Sequence, residues 1–210
     1  MRKLTTSIFY AILFLSSMLA QSSSAQVFVN GGALDLDGVF GIGSNTSYFV
    51  VDFGGTPESA NTPRDSFAFG YQFDDPNSTA ADGLLAIESA SALEVGTTDF
   101  GGDLGLGLDS FTFGADTDTP DFGFDNRFFE TFVGSLNNGQ VDFTSSLFGI
   151  SSIVLEDGDF IGFRANVSTY PEPSVSIAPR IPLVAIPEPS AVMLFGFAAL
   201  AGSVKRRRKP

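Results

Sequence analysis

The chain has 210 residues, no Cys, no His and no Trp, and its 24 acidic and 11 basic side chains give a formal net charge of −13. Without Cys or His, the sequence excludes zinc fingers, Ser-His-Asp triads, Cys nucleophiles and disulfides. Residues 26–189 hold all 24 acids but only four Arg and no Lys, which gives this range a net charge of 4 − 24 = −20. Such a surface repels phosphate, so we expect no nucleic-acid partner. The simplest reason for the acidity is solubility. An acidic surface would also attract divalent cations or basic partners.

The first 25 residues have the layout of a secretory signal peptide. Arg2 and Lys3 provide a positive start, residues 8–15 form a short apolar run, and small residues precede a predicted cut between Ala25 and Gln26. The apolar run is too short to span a bilayer comfortably, so we disfavour the alternative of an uncleaved anchor helix. The sequence therefore predicts export of a chain that begins at Gln26.

Residues 26–168 are predicted to form one β-rich, acidic extracytoplasmic domain. In residues 66–73 an aromatic side chain occurs at every second position, which is the period of a strand. Asn-Asn-Gly at 137–139 is typical of a hairpin turn. The expected fold class is mainly β, an antiparallel β-sandwich of about seven to nine strands in which Phe supplies most of the core. The predicted strands cover residues 27–29, 46–53, 66–73, 111–113, 122–124, 128–133, 141–143, 150–155 and 160–167.

One segment of this domain favours a helix instead. Residues 79–95 are rich in Ala, Leu and Glu, and Leu84, Ile87 and Leu93 fall near helical spacing. Asp82 is a suitable N-terminal cap. We predict one helical insertion, at about residues 82–93, that lies on the sheet.

Acidic clusters are the candidate sites for chemistry in this domain. The first contains Asp116, Asp118 and Asp121, and two others lie at residues 35–38 and 156–159. Carboxylate oxygens suit Ca²⁺, so the first cluster is our candidate calcium site, and we expect no other cofactor. None of the clusters has the EF-hand pattern. The alternative is turn chemistry, in which Asp bonds the local backbone and Gly follows at positive φ.

The many acidic residues are also compatible with a carbohydrate-active protein. Glycoside hydrolysis needs only two carboxylates, but nothing in the sequence singles out a pair. His and Lys, which are common acid–base residues, are absent from residues 26–189. We therefore expect a non-catalytic protein and keep, as the alternative, a carbohydrate-binding or carbohydrate-hydrolysing module that uses an Asp/Glu pair.

A Pro-rich linker is predicted over residues 169–186. Residues 170–189 contain six prolines, which favour an extended, semi-rigid spacer. A first Pro-Glu-Pro occurs here at 171–173, but neither an apolar span nor a basic block follows it directly. We assign this first copy to the linker.

The C-terminal residues 187–210 have three parts, of which the first is Pro187, Glu188 and Pro189. Residues 191–204 are uncharged, and a helix of this length is about 21 Å long, short of the roughly 30 Å hydrocarbon core. Snorkelling basic side chains and local thinning of the bilayer can cover the difference, so we predict a transmembrane helix. A basic stop-transfer cluster follows and should stay in the cytoplasm. Its members are Lys205, Arg206, Arg207, Arg208 and Lys209.

Pro-Glu-Pro, a short transmembrane stretch and an Arg-rich end, behind an N-terminal signal peptide, resemble the PEP-CTERM sorting signal of Gram-negative bacteria. The resemblance implies that exosortase, a membrane-embedded cysteine transpeptidase-like enzyme, recognises Pro187, Glu188 and Pro189. It also implies transient anchoring in the inner membrane, then a place in the cell envelope or extracellular matrix. Such proteins occur in bacteria that make exopolysaccharide, which is the candidate partner for a structural or adhesive domain. A plain C-terminal anchor is the alternative.

Overall fold

The computed structural model describes residues 26–54, 65–101, 105–120, 126–167 and 176–184. Within these ranges the chain forms twelve strands in three sheets, the helix α1 (Ala80–Ala90) and one 3-10 turn (Ile150–Ser152). The strands are β1 (Phe28–Val29), β2 (Gly32–Leu34), β3 (Leu36–Gly41), β4 (Asn45–Asp52), β5 (Ser66–Phe73), β6 (Leu93–Asp99), β7 (Leu106–Phe113), β8 (Asp116–Asp118), β9 (Arg127–Asn137), β10 (Gln140–Ser145), β11 (Phe160–Val167) and β12 (Leu183–Val184).

The largest sheet has six strands in the order β10-β9-β11-β4-β5-β3. The mainly β class is confirmed, but the prediction of a purely antiparallel sandwich is wrong, because β11 pairs in parallel with β4 and β3 in parallel with β5. In the second parallel pair, β5 lies between β4 and β3. It is antiparallel to β4 and parallel to β3, so the two strands that flank it run in opposite directions.

Strand alternation gives the central sheet two apolar faces, each covered by other elements. On the first face, Phe49 and Val51 of β4 belong to a core shared with α1, the 3-10 turn and the sheet β6-β7-β8. Aromatic rings fill this core as predicted, with Phe111 of β7 5.4 Å from Phe163 of β11 between ring centroids. Fully buried Phe side chains in the described chain are Phe49, Phe69, Phe111, Phe160 and Phe163.

The second face of the central sheet is covered by the small sheet β1-β2-β12. Val29 and Leu34 pack there against Val50, Ala68 and Phe160. The fold therefore has three layers, with the six-stranded sheet in the middle.

The predicted helix is confirmed, but its boundaries differ from the prediction. The N-cap is Thr79, whose hydroxyl accepts from the Asp82 amide while the Asp82 carboxylate accepts from the Thr79 amide at 2.8 Å. This is a capping box, so Asp82 is the third helical residue and not the cap. The helix ends at Ala90 because Leu93 begins β6 and is buried in the first core.

Two other local predictions have opposite outcomes. The hairpin at 137–139 is confirmed, since Asn138 and Gly139 have φ of 51° and 79° and join β9 to β10. The strand predicted over residues 150–155 is wrong, because Ile150–Ser152 form a 3-10 turn that buries Ile150 under the sheet. A short apolar run is compatible with either structure, and tertiary packing decides between them.

Several predicted elements lie outside the described residues: the signal peptide 1–25, the strand 122–124 and the transmembrane helix 191–204. Among the residues that are described, no helix combines the length and apolar character needed to cross a membrane.

Candidate functional site

The described structure stops shortly before the predicted sorting motif. Val184, the last residue of β12, is three positions ahead of Pro187, and Pro187, Glu188 and Pro189 lie outside the described residues. The basic cluster 205–209 and Ala25 lie outside them too, whereas Gln26 is exposed. The part of this site that can be described is therefore the segment that leads into the motif.

That segment, residues 176–184, is called the strap below. It lies inside the range predicted as a linker, yet it packs on the second face of the central sheet. Its strand β12 pairs with β2, and Ile181 contacts the second core. Pro179 is buried above Gly162, where a Cβ atom would collide with the proline ring. The described chain directly before the tail is thus part of the folded domain.

A buried carboxylate holds the middle of the strap. Asp52, at the end of β4, has a fully buried side chain and accepts from Arg164 Nη1 at 2.9 Å and from Arg180 Nη2 at 2.6 Å. The amides of Gly54 and Arg180 also donate to it, each at 2.9 Å. The hydrogen bond to Asp52 raises the pKa of Arg180, whose guanidinium also lies 3.5 Å from Asp65. Because two cations and two amides surround one anion, its burial is compensated.

A second polar group holds the start of the strap. Glu130 of β9 accepts from Ser176 Oγ at 2.7 Å and from Asn166 Nδ2 at 2.7 Å. Asn166 also donates to the carbonyl oxygen of Ile177 at 3.2 Å. Further along the strap, Ser66 Oγ donates to the carbonyl oxygen of Arg180. Strap and sheet are therefore joined by side chains from β4, β5, β9 and β11.

The sequence analysis did not identify this network. The feature of the sequence that could have revealed the network is the scarcity of cations, since residues 26–189 contain only four Arg alongside 24 acidic residues. The three that are described, Arg127, Arg164 and Arg180, each form an ion pair with an aspartate. In the Lys-free residues 26–189, each of these described Arg side chains thus lies beside an aspartate that is buried or nearly so.

The candidate calcium residues lie in different situations. Asp116 and Asp118 are both on β8, and Asp118 forms an ion pair with Arg127 at 2.8 Å. Asp121 lies outside the described residues. Across the described ranges, no group of three or more acidic side chains could hold a metal ion. Calcium binding at this cluster stays a prediction.

The cluster at 156–159 behaves as turn chemistry predicts. Asp159 Oδ2 accepts from the Glu156 amide and Asp157 Oδ1 from the Thr46 amide, both at 2.8 Å, and Gly158 has φ of 86°. Partial burial raises the pKa of Asp159. These carboxylates organise the turn that leads into β11.

An aromatic groove of about 510 Å³ lies between β7 and β9. Phe100, Phe128 and Phe148 line it, together with the polar residues Thr131 and Ser145. Glu130 is the one carboxylate in its described lining, and that carboxylate already accepts from Asn166 and Ser176. The described lining therefore offers rings for stacking but no facing pair of carboxylates.

Comparison with protein families identifies the tail. Residues 185–209 match the family model of the PEP-CTERM protein-sorting motif, which confirms the resemblance of the tail to that sorting signal. A comparison with curated proteins gives no match. The matched segment starts directly after Val184, so the strap and the motif are consecutive. The chain therefore carries a PEP-CTERM protein-sorting motif at residues 185–209, and this motif implies export, passage through the membrane and processing by an exosortase-type enzyme.

Proposed function

We propose that this is a non-catalytic exported protein whose acidic β domain is delivered by its tail to the cell envelope or extracellular matrix, where it has a structural or adhesive role. The observation that carries the proposal is that the strap packs on the central sheet as part of the folded domain. Because the domain is built up to Val184 and the motif begins at Pro187, processing at or beyond the motif releases a complete domain.

The interactions that the acidic side chains make within the domain support a non-catalytic role. Asp52 and Asp118 form ion pairs with arginines, Glu130 binds the strap, and Asp157 and Asp159 accept from backbone amides. A glycosidase needs two carboxylates that face each other across a substrate. These five carboxylates serve the fold instead, which supports the proposal.

In the proposed route, the signal peptide is cut between Ala25 and Gln26, and residues 191–204 then stop in the inner membrane. Lys205 to Lys209 remain in the cytoplasm, as the positive-inside rule requires. The processing enzyme recognises Pro187, Glu188 and Pro189. Proline fixes φ and has no backbone N–H, so a Pro-Glu-Pro sequence favours an extended segment that is poor in backbone donors, a form that an enzyme can grip.

The chain provides a matched control for testing this route, since Pro-Glu-Pro occurs twice. The native host would express the wild type, the triple change Pro187→Ala, Glu188→Ala and Pro189→Ala, or the same triple change at residues 171–173. Intact masses would be measured in membrane, envelope and medium fractions. We expect the wild type and the 171–173 variant to start at Gln26 and to lack residues 205–209. The 187–189 variant should keep the basic end and stay in the membrane; a wild type that keeps it would refute processing.

The proposed role requires a separate measurement. Host cells that lack the protein should aggregate less or retain less exopolysaccharide, and the wild-type chain should restore both. Equal aggregation and polysaccharide retention with and without the protein would contradict a structural or adhesive role, even if processing occurs.

The aromatic groove favours carbohydrate binding as a second candidate function. Exposed rings stack on sugar rings, and Phe148 is 69% exposed at the edge of the groove. Phe148→Ala should weaken binding of the full chain to exopolysaccharide purified from the host, whereas Ile42→Ala, an exposed change away from the groove lining, should not. Equal binding by the two variants would exclude the groove as the polysaccharide-binding site. Release of new reducing ends from the polysaccharide would favour hydrolysis over binding alone.

A further inference from the structure

The small sheet β1-β2-β12 presents an uncharged surface on a strongly acidic chain. Residues 26–34 and 181–184, which contain its three strands, have no charged side chain, although residues 26–189 carry a net charge of −20 (4 − 24). Three large apolar side chains of this sheet are exposed: Phe28 at 55%, Leu183 at 38% and Val184 at 44%.

The strand register places two of these side chains on the same side of the sheet. Phe28 and Val184 are both paired with Ala33, so all three lie in one row across the strands. The next residue, Leu34, points to the opposite side, where it packs in the second core. Phe28 and Val184 therefore expose their apolar side chains on one side of the small sheet, on either side of Ala33, which is itself buried (1% exposed). This side is called the outer face below.

The tail limits how far the outer face can move from the membrane. Seven residue steps separate Val184 from Ala191, where the apolar stretch begins. A chain of that length spans at most about 25 Å, and the headgroup layer takes up roughly 5–8 Å of this distance. A domain of this size is itself roughly 40 Å across, so its opposite side cannot approach the bilayer while the tail is inserted.

Charge then favours one orientation. The acidic parts of the domain are repelled by the anionic headgroups of a bacterial membrane, whereas an uncharged face is not. Phe and Val side chains gain free energy when they leave water for the interfacial region. Both effects act on the face from which the tail departs.

We propose that, before processing, the outer face rests on the lipid surface of the membrane that holds the tail. The proposal rests on the proposed insertion of residues 191–204. It makes the domain a membrane-seated substrate, with the sorting motif at the edge of the contact, and not a domain that swings on a flexible spacer.

The test uses the absence of Cys from the chain. Single-cysteine variants Phe28→Cys and Val184→Cys would carry an environment-sensitive fluorophore. Ser89→Cys, exposed on α1 beyond the first face of the central sheet, is the matched control, and Ala198→Cys reports insertion of the tail. The chains, purified with intact tails from a host without the processing enzyme, would be reconstituted in vesicles of phosphatidylethanolamine and phosphatidylglycerol that contain a headgroup quencher or an acyl-chain quencher. Circular dichroism would verify that each variant is folded.

We expect headgroup quenching at positions 28 and 184 to exceed that at 89 several-fold, with acyl-chain quenching at 198. Quenching at 198 without an excess at 28 and 184 would overturn the proposed contact and leave insertion intact. No quenching at 198 would instead refute the insertion on which the contact depends. An excess that appears only when exosortase is added would mean that the outer face binds protein, which also overturns the lipid proposal.

A Gly-Ser spacer inserted between Ile186 and Pro187 separates binding from tethering. If the outer face binds lipid, the excess quenching at 28 and 184 persists when the tether is longer. Loss of the excess would show that the short tether alone kept the domain near the membrane, and the proposal would fail.

Discussion

Asp52 is the residue on which the attachment of the strap depends. Its carboxylate is fully buried and is stabilised by donors from β11, from the strap and from Gly54 beyond the end of β4. An isolated buried carboxylate would be strongly destabilising, so the site is favourable only while its cations are present. The converse also holds: without the anion, Arg164 is a buried cation with no opposite charge at its Nη1 atom.

Asp52→Asn should therefore destabilise the domain. Removing one partner of a buried ion pair costs about 3–5 kcal/mol, and we expect the lower end of this range because the Arg180 side chain is 47% exposed. The free energy of unfolding would be measured by urea denaturation. The control is Asp75→Asn, an exposed change of the same type that should cost no more than about 0.5 kcal/mol. Equal costs for the two variants would contradict the role of Asp52.

Asp74 shows the opposite arrangement, a carboxylate stabilised at the surface by one neighbour. The amide and hydroxyl of Ser44 donate to it at 2.8 and 2.9 Å, and these bonds lower the pKa of Asp74. Because its pKa is lower in the folded than in the unfolded chain, the group stabilises the fold above pH of about 4. That contribution is lost as the pH falls through the folded pKa.

Ser44→Ala should raise the pKa of Asp74 toward its ordinary value, because one of the two hydrogen bonds is removed. The shift should be partial, since the amide bond remains. Titration of the Asp74 carboxyl carbon by NMR would measure it, with the wild-type chain as reference. An unchanged pKa would mean that the hydroxyl bond contributes nothing to the charged form.

At the scale of elements, the strap differs most from the sequence-based expectation. Prolines predicted a spacer over residues 169–186, and the same composition is compatible with an extended segment lying on a sheet. Pro179 is buried and Arg180 donates to Asp52, so the described part of this range is fixed by long-range partners. Asp52 lies 128 residues before Arg180 in sequence, and a pairing over such a distance cannot be recognised from local composition.

Gly162→Ala should loosen the strap, because the new Cβ would collide with Cγ of Pro179. Overpacking of this kind costs about 1–3 kcal/mol. Trypsin cleavage after Arg180 would report the change, since the docked strap ties the amide and carbonyl of that residue to Asp52 and Ser66.

Cleavage after Arg180 should be faster in Gly162→Ala than in the wild type. Adding Pro179→Ala removes the colliding atom and should slow cleavage again. If Gly162→Ala leaves the cleavage rate unchanged, the strap is not held at this point.

At the scale of the whole molecule, like charge opposes the fold. Residues 26–189 carry a net charge of −20 (4 − 24), and the described cations are already paired with aspartates. The remaining acids repel one another across the surface, and this repulsion is screened by salt within about 10 Å at 0.1 M ionic strength.

The melting temperature of the domain should therefore rise as sodium chloride is added up to an ionic strength of about 0.1 M. The buried Asp52 pair is little affected by the salt, because screening acts mainly on exposed charges. Differential scanning calorimetry would measure the effect, and an equal osmolality of sucrose would be the control. A melting temperature that falls with salt would mean that exposed ion pairs, and not repulsion, dominate the surface.

The sequence by itself determined that the chain carries a sorting motif and that its fold is mainly β. A sorting tail is a linear signal that is read along the chain, so residues 185–209 could be recognised without a structure. Strand period, the turn at 137–139 and the helical segment depend on neighbours in sequence, and these too were predictable. Only the tertiary structure decided the parallel pairs of the central sheet, the ion pairs of Asp52 and the attachment of the strap. These features join residues that are distant in sequence, and their stability comes from burial and pairing that exist only once the layers have packed.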